Sequence, residues 1–260
     1  MNRRMMLTTA IAATMMGVGT TAYAQDSTLQ KVRDSGVLRV GVTQAPPWYS
    51  KDIISGEWTG GLGVSMGKAM AASLGVTFEP VEVTWGTAVA ALQADRIDLM
   101  FVLDATDERK AAVNFPMTPL LYYSLAVLAR DDLNVTDWAD LNNSNISISV
   151  PQATSMDAFL TKNVPNADIQ RFPGNAEAIA AFQAGRVDAV TLFHPPLIAA
   201  RQKLGAGQIV VPKPVESRPS SVAVRKETDT AFVDWVNEQI DGYYKSGQTQ
   251  LWYEEFLTGF

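Results

Sequence analysis

A chain of 260 residues with no cysteine and a single histidine, His194, excludes disulfides, thiolate metal sites, cysteine nucleophiles and any multi-histidine metal centre. Its 27 acidic and 21 basic residues leave a net charge of −6, which argues against nucleic acid or an anionic membrane surface as a partner.

Residues 1–24 place Arg3 and Arg4 before an uncharged segment rich in Ala and Met that ends in Ala22-Tyr23-Ala24. This is the three-part layout of a secretory signal peptide, with cleavage expected after Ala24. Gly17, Gly19 and several threonines make the segment too short and too weakly apolar for a membrane anchor. The arginine pair also leaves a twin-arginine export route open. After residue 24 no apolar run is long enough to cross a bilayer, so a soluble, exported protein is expected.

Val37 to Val42 reads as a strand, and Pro46-Pro47 then forces an extended loop that ends in the adjacent aromatics Trp48 and Tyr49, a candidate ligand wall. Gly60, Gly61 and Gly63 lead into a helix through Met66, Met70 and Leu74 that Gly75 ends. The glycine spacing matches no phosphate-loop signature, and no cofactor is expected. Val76 to Val83 is the next strand, and Trp85 opens the following helix. That helix ends in Ala91-Leu-Gln-Ala-Asp-Arg-Ile-Asp-Leu-Met100, which returns later as Ala181-Phe-Gln-Ala-Gly-Arg-Val-Asp-Ala-Val190. Each copy reads as the end of an amphipathic helix, a polar turn and a strand starting at Asp98 or Asp188, so the chain holds two similar α/β lobes. Polar residues just beyond a strand's carboxyl end are where open α/β sheets bind ligands. Asp104 to Arg109 follow the first copy, Phe193 and His194 the second.

Thr106 is placed to cap a short helix beginning Asp107-Glu108-Arg109, which Asn114-Phe115-Pro116 closes. Leu120 to Leu128 is an apolar run long enough to cross between lobes. A helix signal over Val135 to Leu141, a strand at Ile146 to Val150 and a helix capped by Thr154 or Ser155 open the second lobe. The joint Pro151 to Ser155 points backbone amides outward, ready for an anion or carboxylate. Val210 to Pro219 suits a return crossing, and Asp229 to Phe256 reads as helices packing back on the first lobe.

Together these residues resemble the periplasmic solute-binding proteins of polar amino acid ABC transporters, family 3. The marks are Gly36-Val-Leu-Arg-Val-Gly41 with Pro46-Pro47-Trp48, Gly61-Leu-Gly-Val-Ser-Met66, Trp85 with Leu92 to Asp98, and Thr106-Asp-Glu-Arg109 with Asn114-Phe115. Asp140-Leu141, Val150 to Ser155, Gly185-Arg-Val-Asp-Ala189 and the tail Gly242 to Leu257 follow in order. The resemblance implies a type II-like two-lobed fold with a ligand cleft between the lobes and a two-strand hinge. Lobe one would comprise residues 25–123 plus 216–260 and lobe two residues 124–215. It further implies a monomeric periplasmic protein that captures an amino acid or related small carboxylate by lobe closure and hands it to a membrane ABC permease.

In this family the arginine after the threonine, here Arg109, grips the ligand's carboxylate, and the bidentate fit of guanidinium to carboxylate agrees. Thr154 and Ser155 match the polar pair that meets the same carboxylate from lobe two, and Trp48, with Tyr49 beside it, matches the aromatic that covers the ligand. Trp85 and Trp138 read as core. Asp104 stands near positions where the family has Ser or Thr, and a carboxylate in a dry cleft should face a cation, either the ligand's amine or Arg109. Phe193-His194 stands where the family's amine-binding aspartate is expected. His194 could donate to a ligand, sense pH or only form a wall. A cation boxed by Trp48, Phe193 and Asp104 is one hypothesis for the ligand, which adds betaine-like and modified amino acids to its candidates. Two alternatives stay open: a dehydratase resembling the periplasmic cyclohexadienyl dehydratases, and a stand-alone ligand sensor. No paired carboxylates or triad are legible, so no enzyme is expected.

Overall fold

The computed structural model describes residues 27–258, and the signal peptide expected over 1–24 lies outside the described residues. Ser27 caps α1 (Thr28–Ser35), and Gly36 ends it in the left-handed region at φ 69°. β1 (Val37–Val42) leads through the proline loop and the hairpin of β2 (Ser50–Lys51) and β3 (Trp58–Gly60) into α2 (Leu62–Leu74), β4 (Thr77–Glu82) and α3 (Ala88–Gln93). β5 (Leu99–Asp104), α4 (Asp107–Ala112) and β6 (Val113–Asn114) follow, and β7 (Leu121–Ala129) leaves for the second lobe.

The helix expected over Val135 to Leu141 is only a 3-10 turn at Trp138–Leu141. Asp140 turns its carboxylate back to the amides of Thr136 and Asp137 at 2.8 and 2.9 Å, which closes the turn after four residues. β8 (Ser147–Pro151), α5 (Ser155–Asn163), β9 (Asp168–Phe172), α6 (Asn175–Gln183), β10 (Ala189–Phe193), α7 (His194–Leu204) and β11 (Gln208–Val210) build that lobe. β12 (Ser217–Arg225) returns, and α8 (Ala231–Lys245) and α9 (Gln248–Thr258) close the chain. α8 packs on α1 and α9 on α2, as expected, but α9 also touches α7 of the second lobe.

The strands run in the order β4-β1-β5-β12-β7-β10-β8-β9. β4, β1 and β5 are parallel at one end and β10, β8 and β9 at the other, so each lobe is a small parallel sheet with helical crossovers. Only β7 and β12 join them, pairing antiparallel over Leu121–Ser124 and Ser217–Ser220. β12 continues against β5, whereas β7 continues against β10 and β11. Fully buried aliphatics such as Leu38, Val40 and Leu99 in one lobe and Ile148, Val150 and Leu192 in the other fill the space between sheets and helices.

The sequence repeat has a structural cause. Asp98 bonds the backbone of β1 twice, its carboxylate accepting the Arg39 amide at 2.7 Å and its own amide donating to the Arg39 carbonyl at 2.8 Å. Asp188 treats β8 the same way, through Ser147 at 2.8 and 2.9 Å. Each repeated aspartate thus pins the start of its strand to the neighbouring one. One residue differs by necessity of backbone: Asp95 and Gly185 occupy the same turn position, at φ 56° and 66°. The left-handed region there admits glycine freely and aspartate more readily than most residues.

Candidate functional site

The ends of β5 and β10, the start of β7 and the starts of α4, α5 and α6 converge between the lobes. They enclose a cavity lined by Trp48, Trp85, Val102, Leu103, Asp104, Arg109, Tyr123, Thr154, Met156, Asn175, Phe193 and Pro196. The space open to the centre of a water-sized sphere is about 30 Å³, room for about two waters, so a larger solute requires the lobes to part. Arg109 and Thr154 also line an adjoining open groove of about 630 Å³.

Local backbone features aim these residues. Val102 lies at φ 60°, which is costly for a β-branched residue. It is the extra residue of a bulge, since Phe101 pairs Val222 and Leu103 pairs Ser221. The bulge turns the last residues of β5 toward the cavity. On the facing lobe Ala153, at φ 54°, makes the bend that starts α5. Thr154 caps that helix, its hydroxyl accepting from the Asp157 amide at 3.2 Å and donating to the Pro151 carbonyl at 2.7 Å. Thr106 caps α4 and accepts from the Arg109 amide at 3.3 Å.

Asp104 is buried, 7 % exposed, and its carboxylate accepts from the Tyr123 hydroxyl and, across the lobes, from the Ser155 hydroxyl. Burial raises its pKa, and the hydrogen bonds from Ser155 and Tyr123 oppose the rise. Burial also pushes the Tyr123 hydroxyl well above its ordinary value, helped by the nearby Asp104 charge, so it stays a donor. Half-buried Arg109 donates through Nη1 to the Asp104 carbonyl at 3.2 Å, and among the described residues no carboxylate lies within ion-pair distance of its guanidinium. The Asp104–Arg109 carboxylate pair considered from sequence is therefore not formed; Tyr123 and Ser155 take that place. Desolvation lowers the Arg109 pKa, and the Asp104 charge works against it.

Four aromatic rings surround these charges. Phe193 packs on Tyr123 with ring centroids 3.8 Å apart, and Trp48 tilts toward Tyr123 at 5.9 Å. Trp48 stacks on its other side with Tyr253 of α9 at 6.0 Å. Trp85 donates Nε1–H to the Asn175 side chain at 3.1 Å, a second bond between the lobes.

Trp48, Asp104, Arg109, Thr154 and Phe193 thus line the cavity, and Ser155 reaches it through Asp104 and also lines the groove. Tyr49 does not: it is fully buried in lobe one, donating to the Phe101 carbonyl at 2.8 Å, because Gly63 of α2 leaves room for its ring. His194 is outside the lining as well. It begins α7 half-exposed, and Pro195 and Pro196 follow it at the first helical positions and turn Pro196 inward instead. Burial lowers its pKa. Trp138 is core, but Trp85, read as core, is both buried and a cavity wall. Tyr123 and Asn175 had no motif to mark them. The crossing strand is buried at every position from Leu125 to Ala129, so no alternation along it singled Tyr123 out.

Residues 38–259 match the family model of the bacterial extracellular solute-binding proteins, family 3. The chain belongs to that family. Among its relatives, the L-cystine-binding protein TcyJ of Escherichia coli K12 is 23% identical, over 99% of this chain and 96% of its own. The general L-amino acid-binding periplasmic protein AapJ of Rhizobium johnstonii is 29% identical, over 94% and 74%. The crystal structure of the ancestral amino acid-binding protein AncCDT-1, a precursor of cyclohexadienyl dehydratase, superposes with a TM-score of 0.81 at 30% identity, over 89% of this chain and all of that one. Among the described residues, this family 3 protein has no helix long and apolar enough to cross a membrane and no group of three or more His, Cys, Asp or Glu side chains that could hold a metal ion.

Proposed function

We propose that the protein is the extracytoplasmic solute-binding component of an ABC importer. It captures an amino acid or related small carboxylate between lobes that meet along residues 123–124 and 215–216. The carrying observation is Arg109, a half-buried guanidinium in the cavity wall that has, among the described residues, only a backbone carbonyl as hydrogen-bond partner. Its remaining N–H donors suit a carboxylate in bidentate geometry. The start of α5 faces the same place from lobe two, with Thr154 and its adjoining amides as further donors. The names of TcyJ and AapJ support an amino acid as solute, and the family supports a place outside the cytoplasm. In this reading residues 1–24 direct export to the periplasm, where a monomer delivers its solute to a permease.

Holding is favoured over catalysis. The cavity has one carboxylate, tied up by two hydroxyls, and the lone histidine is outside the lining, so no acid–base pair is poised over a substrate. Calorimetry against a panel of amino acids and simple carboxylates, combined with mass spectrometry of solute carried through purification, tests the reading. Saturable heat with at least one carboxylate is expected. No heat with any of them, or dehydration of prephenate or arogenate by the purified protein, would overturn it.

A further inference from the structure

We propose that Tyr49, which does not line the cavity, is the positioning residue for one of its walls: its hydroxyl holds the β5 bulge in the form that sends Asp104 inward. This rests on the proposed use of the cavity as the solute site and adds the residue that shapes that site from behind.

The Tyr49 hydroxyl donates to the Phe101 carbonyl at 2.8 Å, and both residues are fully buried. Burial raises the pKa of the hydroxyl, which therefore stays a donor. The Phe101 carbonyl belongs to the peptide unit that leads into Val102, so fixing its direction constrains φ at Val102. That φ of 60° is costly for a β-branched residue and persists only where the surroundings impose it. The bulge lies between Phe101, opposite Val222, and Leu103, opposite Ser221. Side chains alternate along a strand, so a β5 without the extra residue would slip by one position and turn Asp104 to the other face. Asp104 also carries the backbone carbonyl that Arg109 bonds at 3.2 Å, so the same slip would displace the guanidinium. The tyrosine has a built seat. A methyl group on Gly63 of α2 would come within 2.3 Å of its ring, and the Gly63 amide donates to the Trp48 carbonyl at 2.9 Å. The ring and the loop that carries Trp48 are thus both fixed against α2.

The test is a cycle between Tyr49→Phe and Val102→Gly. Phenylalanine keeps the ring in its seat and removes the hydroxyl alone, whereas glycine adopts the left-handed region freely and needs no hydroxyl to stay there. Affinity is read by calorimetry with the standard L-amino acids, propionate and succinate, and urea unfolding is followed in parallel. For the compound that wild type binds most tightly, Tyr49→Phe is expected to weaken binding ~10-fold, because the bulged form is then only a fraction of the population. Val102→Gly is expected to bind within ~10-fold of wild type, and adding Tyr49→Phe to it to change affinity by less than ~2-fold. A tyrosine that only stabilised lobe one would lower the urea midpoint in both backgrounds without this difference in affinity. Unchanged affinity in Tyr49→Phe, an equal loss in both backgrounds, or loss of binding by Val102→Gly, folded or not, overturns the role of Tyr49 and leaves the solute reading intact. No heat from any of these compounds with wild-type protein overturns the solute reading and this inference with it. Should Tyr49→Phe alone fail to fold, Val102→Gly is compared with the double variant. Matching affinities then support the role, and a further ~10-fold loss or a double variant that does not fold overturns it.

Discussion

Arg109 shows how one residue's role follows from what surrounds it. Partial burial imposes a desolvation cost that lowers its pKa, with the Asp104 charge working against it. That cost is not offset by an ion pair among the described residues, which supports the proposed role of the arginine in the site. Arg109→Ala should abolish carboxylate binding, at least a ~100-fold loss, and leave the circular dichroism spectrum and melting behaviour close to wild type. Retained affinity in that variant would contradict the assigned role. The residue was legible because it follows a capping threonine at a strand's carboxyl end. Tyr49 differs from its neighbour: Trp48 lines the cavity, whereas Tyr49, at the end of the hydrogen-bonded turn that begins at Ala45, sends its ring into the gap at Gly63.

At the scale of elements, the turn between α3 and β5 is the best-supported joint. Asp95 receives Lys31 of α1 at 3.1 Å, Arg39 of β1 at 2.7 Å and Arg225 of β12 at 2.9 Å, joining the consecutive elements α1 and β1 to the distant β12. Partial burial works to raise the Asp95 pKa, but the hydrogen bonds from Arg39, Lys31 and Arg225 prevail and lower it to about 2. A carboxylate whose folded pKa is depressed contributes stability above its unfolded value, here 3.8, and that contribution disappears as pH falls through about 2. Asp95→Asn, which tolerates the positive φ, should therefore destabilise at pH 7, by about 1 kcal/mol given the solvent-exposed position. The difference from wild type should shrink toward nothing between pH 4 and pH 2. Urea midpoints at the two ends of that range check it, and a pH-independent difference would refute the electrostatic account. The matching Gly185 lacks a carboxylate, so lobe two ties its joint through Asp188 and Arg130 instead.

At the scale of the molecule, two side-chain bonds among the described residues bridge the lobes at the cavity, Asp104 with Ser155 and Trp85 with Asn175. Trp85→Phe keeps the packed ring but leaves the buried Asn175 amide without that donor, a cost of about 1–3 kcal/mol. Applied to an equilibrium between parted and closed lobes, this shifts the balance ~5- to 150-fold toward the parted form. Small-angle scattering of solute-free protein should show a larger radius of gyration than wild type, and an unchanged radius would mean that the bond does not govern closure.

By itself the sequence determined the two-lobed α/β plan and marked one end of the cavity, at Arg109 and Thr154. Strand and helix periods, caps and a repeated aspartate are local signals, and Thr106, Arg109 and Thr154 act close to where they stand in the chain. Only the tertiary structure decided the other end. Tyr123, Trp85 and Asn175 meet Asp104 and its neighbours from distant segments, so their roles depend on how β7 and β12 set one lobe against the other, which no local pattern encodes.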